Sequence, residues 1–228
     1  MYLIGLLRLL SYTPINLLIF EGDCILVDVL SQNRTLDFYN TQATQYVAET
    51  IDLDVSNIRN LFLKFIPESG HILDLGCGSG RDSRFFLDYG YSVTAVDASS
   101  ELAKYASEVI GKTVENRSFQ ELDYSDKFDG IWACASLLHC PKSEMHAVIQ
   151  RITKALKASG IIYMSFKYGE GERVDERGRF FSDYTEANIS KTIAEHADLQ
   201  IVELFTESKP LRSGFQTWLN VFARKHVK

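Results

Sequence analysis

The residues most able to do chemistry lie in Ile72-Leu73-Asp74-Leu75-Gly76-Cys77-Gly78-Ser79-Gly80-Arg81-Asp82, where an apolar run ends in a carboxylate and three glycines. Glycine serves where the backbone takes a positive φ or must come close to a ligand. A helix starting directly after the glycines brings unpaired N–H donors to the same crevice. A second carboxylate, Asp97, closes the apolar run Val93-Thr94-Ala95-Val96, 23 residues after Asp74. An acid there can accept both hydroxyls of a ribose, and it can equally cap the helix that follows. The glycine spacing argues against a dinucleotide. The pattern G-x-G-x-x-G needs a glycine at position 81, which is Arg81; the spacing here is Gly76-x-Gly78-x-Gly80. A third candidate is His139, just past the apolar run Phe128–Ala135. Its ordinary pKa of ~6.5 suits a general base near neutrality; the alternative is a histidine that orients its loop or caps a backbone carbonyl. His71 and His196 read as structural, His146 as a surface residue, and His226 lies near the C-terminus.

The elements that must position these groups follow from periodicity. Helical spacing runs through Asp37–Ile51 and Val55–Phe65, the second with Asp54 or Ser56 as cap and Pro67 as stop. Strand and helix then alternate: His71–Leu75, Arg81–Tyr89, Tyr91–Val96, Ser99–Ile110, Thr113–Glu115, Phe128–Ala135, Ser143–Lys157 and Gly160–Phe166. Alternation of this kind predicts a parallel sheet covered by helices on both faces, with ligands at the carboxyl ends of the strands. Thr185–His196 is a further helix. Leu199–Thr206 and Phe215–Arg224 are expected to pair antiparallel. The fold expected is therefore α/β: a Rossmann-like, doubly wound sheet, mostly parallel with an antiparallel C-terminal strand. Tyr168–Phe181 reads as a long exposed loop, either a solvated surface segment or a lid whose Arg173 and Arg179 hold an anionic ligand.

Residues 1–33 form an apolar N-terminal extension ahead of a domain expected over 34–228. Ile15–Phe20 and Cys24–Leu30 flank Glu21-Gly22-Asp23 and read as a β-hairpin; an interfacial anchor and an appendage are the alternatives. Arg8, Pro14 and Asn16 interrupt the run, so no membrane span is expected. Composition narrows the partners. A net charge of −6 disfavours nucleic acid, whose phosphates select basic surfaces. Cys24, Cys77, Cys134 and Cys140 have no zinc spacing, and four reduced thiols fit a cytoplasmic location.

The run Asp74-Leu75-Gly76-Cys77-Gly78-Ser79-Gly80, with Asp97 on the next strand, resembles the first motifs of class I S-adenosylmethionine-dependent methyltransferases. The resemblance extends from about Asp37 to Arg224. It implies S-adenosyl-L-methionine as cofactor, held by Asp74, Gly76, Cys77, Gly78, Gly80, Asp97 and Ala98. It implies Phe119 and Gln120 beside the adenine, and Cys134 and His139 near the methionine end. The segment Tyr39–Tyr46 resembles a helix that covers the cofactor in small-molecule methyltransferases, with Tyr46 the better contact and Tyr39 the weaker. A small-molecule acceptor is therefore expected, with tRNA or protein methylation and a non-catalytic cofactor-binding subunit as alternatives; no metal is implied. Within the family, Leu73–Asp97 and Val221–Lys225 look most like the tellurite-resistance type.

Overall fold

The computed structural model describes residues 33–211 and 214–226; the hairpin expected within the first thirty residues lies outside them. A helix over 33–41 (α1) leads into α2 (Ala43–Thr50), α3 (Ser56–Leu63), β1 (His71–Leu75), α4 (Arg81–Asp88), β2 (Ser92–Asp97), α5 (Ser100–Ile110) and β3 (Glu115–Asn116). Then come β4 (Phe128–Ala133), α6 (Lys142–Ala155), β5 (Leu156–Lys167), β6 (Glu172–Val174), β7 (Phe180–Ser182), α7 (Glu186–Ala194), β8 (Leu199–Leu211) and β9 (Gly214–Lys225).

Seven strands form one sheet in the order β3-β2-β1-β4-β5-β9-β8, and β9 runs antiparallel to both neighbours. The Rossmann-like, mostly parallel sheet read from the alternation is what forms. Side chains alternate across it. Leu73, Ile131, Ile162 and Val221 face Met145, Ile149 and Ile152 of α6 and Ile189 and Ile193 of α7. Their neighbours Ile72, Trp132, Tyr163 and Phe222 face Ile58 and Phe62 of α3 and Phe86 of α4. Two opposite faces, each apolar, are what a strand buried on both sides requires. The chain leaves β1 toward β2 on one side, and β4 lies on the other. This reversal opens a crevice at the carboxyl ends of β1 and β4, where open α/β sheets hold ligands.

Four details depart from the sequence reading. The helix expected over Asp37–Ile51 is broken at Gln42, whose φ of −111° and ψ of 18° are not helical, so two short helices bend over the crevice. α6 stops at Ala155 and β5 starts at the next residue, with Ser159 at φ 63°. The closing strands are longer than expected: β8 runs through Pro210, which an edge strand tolerates. Tyr168–Phe181 is not a loop. Most of it forms the β6–β7 hairpin, whose Phe180 and Phe181 are buried.

Candidate active site

β1 and β2 deliver their two acids side by side. Asp74 pairs in register with Ala95, and Asp97 ends the neighbouring strand. Both are buried. The Asp97 carboxylate is oriented by two backbone donors, Gly78 N–H at 2.8 Å and Ser99 N–H at 2.9 Å. Burial pushes its pKa up to about 6 against the pull of those bonds. Burial, helped by the charge of Asp82, pushes Asp74 up to about 7, although Ser83 donates to it at 2.6 Å.

The amides of the glycines themselves are spent inside the protein. Gly76 and Cys77 N–H both donate to Val96 O, at 2.9 and 3.0 Å, Gly78 N–H goes to Asp97, and Gly80 N–H goes to Cys77 O. The first three amides hold the turn to β2 and the Gly80 amide closes the turn on itself, which leaves the first turn of α4 as the place where helix donors could face a ligand. What glycine supplies is close approach at positive φ. At Gly76 (φ 77°) an added Cβ would lie 2.5 Å from Ser136 Cβ; at Gly78 (φ 55°) it would lie 3.3 Å from the Tyr46 ring. Gly80 serves packing instead. A Cβ there would press on Ala106 and Ile110, so the glycine lets α4 pack against α5. Gly80 lines no part of the crevice over the turn.

Over this turn lies a cavity of about 400 Å³. Its walls include Gly76, Gly78, Asp97 and Ala98 on one side and Phe119 and Gln120 on the single 3-10 turn after β3. Ala135, Ser136 and His139 follow β4, and Tyr39 and Tyr46 come from the cover helices. Cys77, Cys134 and Asp74 lie instead around a smaller hollow that shares Tyr46 and Gly76 with the cavity and adds Arg81. Burial raises the Cys134 thiol to about 12 and Cys77 well above its ordinary value, so neither is a thiolate at neutral pH.

The cover is tied down by polar links. Tyr39 Oη meets His139 Nε2 at 2.8 Å, Ser99 Oγ donates to Asn40 Oδ1 at 2.8 Å, and Phe180 N–H donates to Thr35 Oγ1 at 2.8 Å. Tyr39, the weaker candidate on sequence, therefore makes the more specific contact; Tyr46 stands edge-to-face against it at 5.1 Å. The loop after β4 is held by Ser136 Oγ donating to Leu75 O at 2.6 Å and by Ala135 N–H donating to Ser165 Oγ at 2.8 Å, with Ala135 itself at φ 50°. His139 Nδ1 lies 2.6 Å from Phe180 O. Burial, with Arg179 and Lys167 nearby, brings its pKa down to about 4 despite that bond. The imidazole is neutral at pH 7.

Sequence reading missed Arg81, Asp82 and Ser136. Asp82 is buried between Arg81 (2.8 Å), Arg59 (3.4 Å) and Trp132 Nε1 (2.9 Å), which fixes the Arg81 guanidinium at the hollow. An acid in the first helical turn after a glycine bend, next to Arg81, was the available signal; Arg59 and Trp132 come from distant segments and carried none. The arginines of the β6–β7 hairpin already have carboxylates: Arg173 with Asp183 at 2.7 Å, Arg179 with Asp175 at 2.7 Å, and Arg177 with Glu49 at 3.2 Å. They brace the hairpin and its contact with α2. Among the described residues no His, Cys, Asp or Glu cluster fits a metal, and no helix is long and apolar enough to cross a membrane.

The two raised carboxyl pKa values carry a sign. A carboxyl whose pKa is higher folded than unfolded binds protons preferentially in the native state, so its contribution to stability is present at low pH and is lost as pH rises through the folded value. For Asp97 the window runs from about 4 to 6, and for Asp74 from about 4 to 7. His139 acts oppositely between 6.5 and 4. We therefore expect the Tm difference, Asp74→Asn minus wild type, to be more positive at pH 8 than at pH 4.5. Thermal melts at the two pH values check this, and a difference that does not change with pH contradicts it.

A glycine bend between β1 and α4 beside an acid at the end of β2, at the switch point of a seven-stranded mostly parallel sheet, defines a nucleoside-binding domain of the Rossmann-like class. Residues 72–160 match the family model described as methyltransferase domain. The ubiquinone biosynthesis O-methyltransferase of Xanthomonas axonopodis pv. citri is 32% identical over 106 residues, which cover 43% of this chain and 44% of that protein. This chain spans less than half the length of the curated relatives it matches most strongly. The solved structure of Burkholderia thailandensis 1,6-didemethyltoxoflavin-N1-methyltransferase, with 1,6-didemethyltoxoflavin and S-adenosylhomocysteine bound, superposes with a TM-score of 0.70 at 23% identity, covering 94% of each chain. That of the [4+2]-cyclase SpnF superposes with a TM-score of 0.66 at 18% identity, covering 87% of this chain and 97% of SpnF. Residues 72–160 are thus similar to the methyltransferase domain, and the family model, the curated relatives and the fold together support a class I S-adenosylmethionine-dependent methyltransferase. The likeness to the tellurite-resistance type is carried by its two stretches of sequence alone.

Proposed function

We propose that this protein transfers a methyl group from S-adenosylmethionine to a small-molecule acceptor by direct in-line displacement. The observation that carries the proposal is the cavity itself. The glycine turn, Asp97, Phe119 and His139 line one volume of about 400 Å³, roofed by α1 and α2. Ligand pockets run from ~300 to 1,000 Å³, so a cavity at the lower end suits a nucleoside cofactor with a small partner. The surface charge agrees, since −6 gives no basic footprint for tRNA.

The chain's own groups suit the cofactor. Asp97, fixed by Gly78 and Ser99, accepts the two ribose hydroxyls on the lone pairs its backbone donors leave free. Phe119 offers an apolar face to the base, with Ala98 and Gln120 beside it. Gly76 and Gly78 let Ser136 and Tyr46 close in on the turn and so shape the walls around the sugar and thioether. Asp74, buried and raised toward neutrality, gains from a neighbouring ammonium, and Arg81, held by Asp82, suits a carboxylate; together they match the amino-acid end. The cofactor supplies, when bound, a methyl group already activated as a sulfonium. The protein contributes alignment and exclusion of water, and alignment alone is worth ~7–11 kcal/mol of barrier. His139 orients the acceptor side; as a neutral ring donating to Phe180 O it is a positioning group.

Methyl-labelled S-adenosylmethionine incubated with the protein and, separately, a metabolite extract, halide and chalcogenide salts, or bulk tRNA tests the proposal. Label is expected in a small-molecule fraction with S-adenosylhomocysteine formed in equal amount. Label confined to tRNA or protein overturns the acceptor class. Cofactor binding without transfer to any of them would instead favour a non-catalytic subunit or another reaction on this scaffold.

A further inference from the structure

The polarity of one hydrogen-bond chain in the cavity wall is fixed. Phe180 O is a carbonyl and can only accept, so the 2.6 Å contact puts the proton on His139 Nδ1. A neutral imidazole then offers only a lone pair at Nε2, so the 2.8 Å contact there is donated by the Tyr39 hydroxyl. Tyr39 has one proton, and it is spent on His139. Arg179 donates to the same oxygen, so what Tyr39 Oη offers a ligand is its remaining lone pair. The chain is not free to reverse. Phe180 O belongs to β7, and Phe180 N–H is itself anchored to Thr35 of α1 at 2.8 Å. Tyr39 is packed edge-to-face between Tyr46 and His139, at 5.1 and 5.4 Å. The charged groups around the pair are Arg179, which is paired with Asp175 and hydrogen-bonded to Tyr39; Asp97; and Lys167 of β5, whose ammonium lies 3.8 Å from the Phe181 ring centroid. Arg179 and Lys167 disfavour a protonated imidazole, and burial keeps Tyr39 protonated with a pKa of about 12.

We propose that Tyr39 is a specificity-determining residue that selects acceptors carrying an N–H or O–H donor beside the atom to be methylated, and discriminates against aprotic rings of the same shape. An acceptor of the first kind completes the chain X–H to Tyr39 to His139 to Phe180 O. An acceptor of the second kind sets lone pair against lone pair. A site whose buried groups require a donor rejects the isostere lacking it, because its own polar atoms are then left unpaired. This inference deepens the proposed function and rests on it.

The test uses the full chain saturated with S-adenosylhomocysteine and two fragments of one shape: indole, with a ring N–H, and benzofuran, with oxygen in its place. Saturation transfer and chemical-shift titration should show indole binding at least ~5-fold more tightly, the worth of one net hydrogen bond. In Tyr39→Phe the advantage should fall below twofold. In His139→Leu, where the Tyr39 proton is released to turn inward, quinoline, with a bare ring nitrogen, should gain on indole; a purely structural role for His139 does not move that ratio. Nitrogen-15 spectra of the wild type should show His139 as the Nδ1–H form between pH 5.5 and 8.5. Equal binding of indole and benzofuran, binding of neither at millimolar concentration, or an Nε2–H tautomer overturns the inference while leaving the cofactor site standing. Failure of S-adenosylhomocysteine itself to bind removes the proposed function, and this inference with it.

Discussion

Asp97→Ala is expected to weaken S-adenosylmethionine at least ~100-fold. Hydrogen bonds to a charged group are worth ~1.5–3 kcal/mol each, the carboxylate is proposed to accept two ribose hydroxyls, and ~1.4 kcal/mol is a factor of ten. The side chain also holds Gly78 N–H and Ser99 N–H, so the turn loses its link to the end of β2. Two opposing changes keep the fold: the unpaired donors destabilise it, while the cost of burying a charge, visible in a pKa of about 6, disappears. The melting temperature should therefore move little while affinity collapses. Equilibrium binding of the variant, with a melt to show that it is folded, decides the matter. An affinity within threefold of wild type would remove Asp97 from the cofactor site.

The second large effect concerns Gly76→Ala. A positive φ costs an L residue ~1–2 kcal/mol, and overpacking adds ~1–3 kcal/mol. Gly76 incurs both, because its Cβ would stand 2.5 Å from Ser136 Cβ and Ser136 is pinned to Leu75 O. Gly90 is the control: its φ of 86° is alike, but nothing lies within 4 Å of its Cβ. Gly90→Ala should lose only the conformational part. At ~2–4 °C per kcal/mol for a domain of this size, we expect Gly76→Ala to melt ~5–15 °C below wild type, several degrees below Gly90→Ala, and to bind no S-adenosylhomocysteine. Ser136→Gly in the Gly76→Ala background should recover the steric part only. Equal losses at the two glycines would show that close approach is not what Gly76 provides.

These two positions also mark how far the sequence is readable. The glycine spacing, the acid at the end of β2, the Ser99 cap, which accepts from Leu102 N–H, and the alternation of strand and helix are local signals, and each stands where the pattern puts it. The purpose of the glycines was not legible. That the turn amides are used up on Val96 O and Asp97 depends on the depth to which β2 runs beside β1. Gly80 belongs to helix packing because α5 lies against it, a contact 26 residues away in sequence at Ala106. The β6–β7 hairpin hid in a run of glycines and charges. Its strands are three residues each, too short for a period to show, and the exposed strand is Glu172–Val174 while the buried one is Phe180–Ser182. Tyr39 and Tyr46, seven apart, share a helical face in spite of the break at Gln42. The partner that distinguishes Tyr39, His139, is a hundred residues on.

Isothermal titration of the purified chain with S-adenosylhomocysteine and, separately, NADH tests the central claim most directly. One molecule of S-adenosylhomocysteine per chain should bind to the wild type, binding should vanish in Asp97→Ala, and NADH should give no saturable heat. Saturable NADH binding, or heat from S-adenosylhomocysteine that Asp97→Ala leaves unchanged, would contradict it.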